Sequence, residues 1–196
     1  MKLVWCPETA SKAYIEGVKT LAGENQHQEE STDVAEFISA MAGGWKAQLI
    51  IDAQSNSNPT NTSLALMTAA RHTHGKYLCL SEGEAEPKNL MRQLQGVDYL
   101  VVDGKRRDVA SVVKEARPGP RGMVVVIYNN VTKSNVVSAA VISGGMRVVR
   151  SVFLPIGDGV EVVHVGVGKG PSLEKTGRSR WIRHVDDTGE EHLFRR

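Results

Sequence analysis

Arg147 to Val167 reads RVVRSVFLPIGDGVEVVHVGV. It holds two runs rich in β-branched residues, Arg147 to Leu154 and Val160 to Val167, joined only by PIGDG. Parallel neighbours need a crossover of about a dozen residues or more, whereas antiparallel neighbours close over a short turn. PIGDG is too short for a crossover, so the two runs read as an antiparallel pair.

Upstream the pattern differs. Gln48 to Asp52 is a short, continuously apolar run, as a strand covered on both faces requires. Lys76 to Leu80, Asp98 to Asp103 (DYLVVD) and Met123 to Tyr128 are the further strands. Helical periodicity fills the intervals. Thr62 to Arg71 is one helix, and Pro87 opens a short one carrying Leu90, Met91 and Leu94. Asp108 is placed to cap a helix whose inner face is Val109, Val112, Val113 and Ala116. Ser134 to Ile142 is another helix, closed by Gly144-Gly145. Strands alternating with amphipathic helices imply right-handed crossovers and a parallel sheet. An α/β domain with a mostly parallel sheet, finished by an antiparallel pair, is the expected architecture.

Two helices are expected ahead of the sheet. Pro7 suits a first helical turn, and Tyr14, Val18 and Leu21 recur at helical spacing behind it. The polar stretch Gly23 to Thr32 is a loop. Asp33 and Glu36 form a capping-box pattern, Val34, Phe37, Ile38, Met41 and Ala42 share a face, and Gly43-Gly44 supplies a stop. Residues 1–47 thus hold N-terminal helices and 48–168 the sheet core of one domain. Residues 169–196 form an extension, in which WIRHV, DDTG and EEHLF read as a small hairpin docked through Trp181 and Phe194.

Composition bounds the function. The chain has 196 residues, 41% of them hydrophobic and 23% charged, an ordinary globular balance. The 24 Lys plus Arg nearly balance 22 Asp plus Glu, so charge points to neither a nucleic acid nor a membrane surface. Cys6 and Cys79 are too few for a secreted disulfide framework. With no apolar leader and no run of membrane-spanning length, an intracellular, cytoplasmic protein is expected. The partners left are a small molecule or another protein, and the oligomeric state is open.

A parallel sheet closed by an antiparallel pair resembles class I S-adenosylmethionine-dependent methyltransferases, which have a three-layer Rossmann-like fold. The nearest subgroup is the small metal-dependent O-methyltransferases of catechols and caffeoyl-coenzyme A. FLPIGDGVEVVHV (Phe153 to Val165) is similar to their closing turn, DYLVVDGKRR to an acid-ended strand, and GMVVVIYNN to a strand ending in Asp-Asn. MKLVWCPETASKAYI, AEFISAMAGGW, VDGKRRD, RVVRSVFLPIGDG and RSRWIRHVDDTGEEH together resemble a plant family of unknown function classed as methyltransferase-like. Between Glu82 and Asp98 there is room for one short helix, where the fold holds a helix, a strand and a helix. One edge strand is therefore expected to be missing, with part of the adenine pocket wall.

The resemblance implies S-adenosylmethionine as cofactor, and the residues facing it can be named. Active enzymes use a glycine-rich turn after the first strand, but no glycine occurs from Ile50 to Ser63. Asn56 or Asn58 is the residue able to adopt the turn's left-handed conformation. Asp52, Ser55, Thr60 and Ser63 are candidate ligand contacts there, while Thr60 or Thr62 equally suits a helix cap. Glu82, after the second strand, stands at the ribose position or is a plain surface acid. Asp103 corresponds to a metal-binding acid, and Asn129 and Asn130 to an Asp-Asn pair with the acid replaced by an amide. That set offers a divalent ion one negative ligand where two are usual. Satisfying backbone groups at the strand ends is the competing role. Arg106 stands at the general-base position and keeps its proton, which leaves Lys105, one residue earlier, as the amine beside Asp103.

Two other features carry no site. GVGKG lacks the Ser or Thr and the spacing of a phosphate loop, and His72 and His74 diverge on a helix. Two functions stay open on these residues. One is a catalytically degenerate module that binds a ligand or partner. The other is an active O-methyltransferase acting on a small molecule.

Overall fold

The computed structural model describes residues 5–24, 32–55, 57–82, 87–130, 140–142, 144–168, 181–185 and 191–195. Two helices come first, α1 (Pro7–Glu24) and α2 (Thr32–Trp45). Strands and helices then alternate as β1 (Leu49–Gln54), α3 (Asn61–Thr73), β2 (Lys76–Ser81), α4 (Pro87–Gln93), β3 (Tyr99–Asp103), α5 (Val109–Glu115) and β4 (Met123–Tyr128). Four strands follow: β5 (Arg147–Leu154), β6 (Val160–Gly166), β7 (Trp181–Val185) and β8 (Glu191–Arg195).

The main sheet has six strands in the order β2-β1-β3-β4-β6-β5. β1 runs parallel to β2 and β3, with Ile51 opposite Leu78 and Leu100, and β3 runs parallel to β4. β6 lies antiparallel to both β4 and β5, Val163 facing Val125 on one side and Ser151 on the other. The expected antiparallel pair is present, and its second strand is the one inserted into the sheet. β2 is an edge among the described residues, and its exposure shows it: Lys76 and Cys79 are exposed, and only Leu80 and Ser81 are buried.

Both faces of the central strands are covered, which explains their continuously apolar sequence. All of β3 and β4 is buried. On one face Ile51, Leu100, Val102 and Val125 meet Met91 of α4, Val112 and Val113 of α5, and Ala140 and Val141. On the other, Ile50, Tyr99, Val101, Val124 and Val126 meet Ala13 of α1, Ile38 and Ala42 of α2, and Leu66 and Ala69 of α3. A fully buried Val or Leu contributes about 1.5–3 kcal/mol, so these two layers hold the sheet.

The helix ends differ from expectation in instructive ways. α2 starts at Thr32, which places Asp33 inside the first turn rather than at the cap. It also runs through Gly43-Gly44 to Trp45. Lys46 at φ 51° ends it, with the Lys46 amide bonding to the Gly43 carbonyl at 3.0 Å and the Ala47 amide to Ala42 at 3.2 Å. The glycines serve packing instead. A Cβ on Gly43 would lie 2.7 Å from the Thr9 carbonyl oxygen and 2.7 Å from the Ala13 Cβ, and one on Gly44 would enter the Trp5 ring. α1 correspondingly turns small residues inward, Ala10, Ala13 and Gly17, with Leu21, and leaves Tyr14 exposed. A large Tyr14 could not sit against a helix that approaches this closely.

After residues 140–142, Gly144-Gly145 is the stop read from the sequence. Gly145 takes φ 75°, and the Met146 amide reaches back to the Val141 carbonyl at 3.1 Å. The helix expected over Ser134 to Ile142 lies outside the described residues before Ala140. β7 and β8 form a separate antiparallel hairpin, Trp181 opposite Arg195. The side chains of Trp181 and Phe194, expected to dock it, lie outside the description. No described helix is long and apolar enough to cross a membrane.

Arg121 ties the far end of the sheet together. Its guanidinium donates to the Trp45 and Lys46 carbonyls at 3.3 and 3.0 Å, capping α2, and pairs with Asp98 at 3.5 Å. Asp98 in turn accepts from the Gln48 amide at 2.8 Å, pinning the start of β1. The Trp45 ring meets His164 of β6 edge-on, centroids 6.0 Å apart. Burial, and then the charge of Arg150, holds the His164 imidazole below the usual histidine range, and its Nδ1 has no partner.

Two outcomes are expected. Gly43→Ala gains about 1 kcal/mol of helix propensity but overpacks the α1 backbone at a cost of about 1–3 kcal/mol, so the urea midpoint drops, with a net loss of up to about 2 kcal/mol. His164 has a lowered folded pKa, so the unfolded chain takes up the proton first. Its contribution to stability is whole above about pH 6.5 and declines as pH falls below it. His164→Phe should flatten that acid limb in melts between pH 7.5 and 5.5, and an unchanged limb would assign it to another group.

Candidate ligand crevice

β1 leads sideways to β2, while β3, on its other side, leads away to β4. Strand order therefore reverses between β1 and β3, and in open α/β sheets ligands bind beyond the carboxyl ends at such a point. The residues there are Gln54 and Ser55, Ser81 and Glu82, Asp103 to Asp108, and Asn129 and Asn130.

Asp103 ends β3 and is buried. One carboxylate oxygen accepts the Ser55 hydroxyl, and the other accepts the Lys105 amide at 3.0 Å and the Asn129 Nδ2 at 2.9 Å. Two local features allow this. Asn129 adopts φ 55°, which Asn tolerates better than most residues, and Gly104 has no Cβ to strike the Tyr128 carbonyl oxygen 2.8 Å away. Lys105 itself is exposed, and its backbone rather than its amine touches Asp103.

Asn130 belongs elsewhere. Its Nδ2 faces Glu161 of β6 at 3.5 Å, and the buried Glu161 carboxylate also accepts the Ser151 hydroxyl at 3.2 Å. The structure thus joins Asp103 with Asn129 but directs Asn130 to another group. Asn129 presents N–H donors to the carboxylate, not an oxygen to a shared cation. Oriented this way, the pair does not fit a hard cation such as Mg2+ or Ca2+, which takes oxygen ligands. Among the described residues, no group of three or more His, Cys, Asp or Glu gathers as metal ligands.

Arg106 is the residue that sequence reasoning placed least well. Its side chain is wholly buried. Nη1 donates to the Leu80 carbonyl at 3.0 Å and to the Gln54 carbonyl, bridging the ends of β2 and β1. Asp108 grips the other side, accepting from Nε at 2.8 Å and Nη2 at 3.0 Å. Asp108 consequently makes no side-chain cap on α5, contrary to expectation, because its carboxylate is held by the guanidinium. Glu82 also leans inward: its amide bonds to Gln54 at 3.1 Å, and its carboxylate accepts the Arg107 amide at 3.3 Å. The only signal for this in the sequence was Arg-x-Asp spacing after a strand.

Beneath β1, Asp52, Thr60 and Ser63 meet. Thr60 caps α3 in a reciprocal box, its Oγ1 accepting the Ser63 amide at 3.1 Å while Ser63 Oγ accepts the Thr60 amide at 3.3 Å. The capping alternative is the one realised, with Thr60 rather than Thr62 as the cap. Asp52 is fully buried, and its Oδ2 accepts the Tyr77 hydroxyl at 2.8 Å, Gln54 Nε2 at 2.7 Å and Ser63 Oγ at 3.0 Å. Gln54 and Tyr77 were not singled out from the sequence, although Gln54 continues the β1 face of Ile50 and Asp52. The turn that follows has no left-handed residue at Asn58; Asn56 lies outside the described residues.

Burial drives the Asp52 carboxyl above the usual range, against the lowering effect of its three donors, and its Oδ1 has no partner. A raised folded pKa means that Asp52 favours the fold while protonated. That advantage is present below about pH 3.9 and is lost as pH rises through the folded value. Asp52→Asn should therefore gain stability relative to the native chain as pH climbs from 4 to 8 in urea titrations. A gap constant with pH would mean that Asp52 is no more costly to ionise here than in the unfolded chain.

Solved structures share this architecture. A methyltransferase from Geobacter sulfurreducens aligns with TM-score 0.52 and 11% identity, over 78% of this chain and 89% of its own. The SAH-bound methyltransferase PaMTH1 of Podospora anserina aligns with TM-score 0.53 and 13% identity, over 83% of this chain and 90% of its own. At such identities the likeness shows the fold, a methyltransferase-like Rossmann architecture, and nothing of the chemistry. No curated protein matches the chain. A family model does, over residues 1–86 and 83–196, which together span its whole length. The chain belongs to that family, the proteins of unknown function DUF1442.

Proposed function

We propose that this protein is a methyltransferase-like binding module that does not transfer methyl groups, and that it takes a small molecule or a protein partner. The observation carrying this reading is the state of Asp103. Both its oxygens are engaged by Ser55, Lys105 and Asn129, so the acid serves the strand ends rather than a substrate. The general-base position is taken by a group that cannot serve as one. Arg106 stands at that position, stays protonated at any relevant pH, and is spent on Asp108 and two carbonyls. Ser55, Glu82, Lys105, Arg107 and Asn129 keep partial or full exposure around the crevice, and these are among the side chains left to meet a ligand.

The test is a methyl-transfer assay with S-adenosylmethionine and catechol-type acceptors, with and without magnesium. No transfer above the buffer rate is expected. Turnover in either condition would instead make the chain an active O-methyltransferase. Asp103→Ala should cost about 1–3 kcal/mol in urea denaturation, because it strands three buried or half-buried donors. A neutral substitution there would remove the structural role claimed for the acid.

A further inference from the structure

We propose that Arg106 fills, from within the chain, the place at the β1 and β2 strand ends that a nucleoside cofactor would need, and so decides what the crevice accepts. This rests on the methyltransferase-like reading of the fold. In such a sheet the cofactor lies across the carboxyl ends beside the reversal of strand order. Here that position holds a guanidinium. Arg106 leaves the end of β3, crosses β1 and reaches β2, with Nη1 shared between the Gln54 and Leu80 carbonyls. The side chain has no exposure to solvent.

The contacts around it leave little for a ligand to exploit. Asp108 takes Nε and Nη2 together in a side-on fork, the geometry in which a guanidinium is held most firmly. The guanidinium charge is buried and Asp108 compensates it, so a ligand that displaced Arg106 would have to replace that pairing. Glu82, at the position where a ribose would find its acid, is turned to the Arg107 amide and bridges β2 to the same loop. The turn after β1 is closed as well. The N-terminus of α3 is closed by its own Thr60–Ser63 box, and no glycine from Ile50 to Ser63 lets backbone approach a ligand closely. Three separate elements thus disagree with an S-adenosylmethionine site, and Arg106 is the one lodged in the crevice.

The experiment is a calorimetric titration of S-adenosylhomocysteine into the full chain, the Arg106→Ala variant and the Asp108→Asn variant. Circular dichroism and urea midpoints check that each variant is folded. The native chain should show no saturation below millimolar ligand, and Arg106→Ala should bind at least tenfold more tightly. Asp108→Asn, which loosens the fork without removing the guanidinium, should shift affinity the same way by less, and it decides the question if the alanine variant does not fold. Micromolar binding by the native chain overturns the proposal, as does a folded variant that binds no better. Those results leave the binding-module reading standing. Only methyl transfer by the native chain removes that, so the two failures are distinguishable.

Discussion

Gln54 and Leu80, at the carboxyl ends of β1 and β2, are buried, and a buried carbonyl must find a donor inside the protein. In this sheet the Arg106 guanidinium, delivered from the end of β3 and locked by Asp108, donates to carbonyls at the ends of both β1 and β2. The arrangement ties three adjacent strand ends and the start of α5 to a single side chain. The rest of the crevice follows the same logic, with Asp103 gathering Ser55, Lys105 and Asn129 around one carboxylate.

The polar groups of the crevice are close to mutual satisfaction, and that separates architecture from chemistry. A catalytic acid or base must keep an unfilled valence toward its substrate. Asp103 already accepts three donors, and Arg106 cannot give up its proton. Asp52 is the exception, with one oxygen buried and unpartnered, but it lies beneath β1 among Gln54, Ser63 and Tyr77 rather than at the strand ends. Its raised carboxyl pKa comes first from burial, the cost of a polar network inside an apolar sheet.

Much of the fold was legible in the residues. Continuous apolar runs identified β1, β3 and β4 because both sheet faces are covered, and PIGDG could connect only antiparallel neighbours. Among the described residues no strand lies beyond β2, in keeping with the short interval between Glu82 and Asp98. Helix ends were less legible. Gly43-Gly44 has the composition of a stop, yet the pair lies inside α2, since the close approach of α1 needs residues without a Cβ. Tyr14 has helical spacing with Leu21 but is exposed for the same reason. Both misreadings come from judging one helix alone when a neighbouring helix decided the packing.

The candidate site divides along the same line. Sequence alone determined which groups stand at the strand ends, because a strand's last residue is fixed by where its apolar run stops. Asp103, Asn129, Glu82 and Ser55 were found that way, as was the absence of a glycine turn. Sequence also excluded Arg106 as a base, a matter of its intrinsic pKa. Only the tertiary structure decided what these groups do. Whether Asp108 caps α5 or holds Arg106, whether Asn130 joins Asp103 or Glu161, and whether Ser63 meets a ligand or Asp52 are choices between nearby partners. Such choices depend on distances set by β1, β2 and β3 lying side by side, and hydrogen bonds reach only about 3 Å. The antiparallel pair at Arg147 to Val167 needed no such information, since chain length between its strands already forbade the alternative.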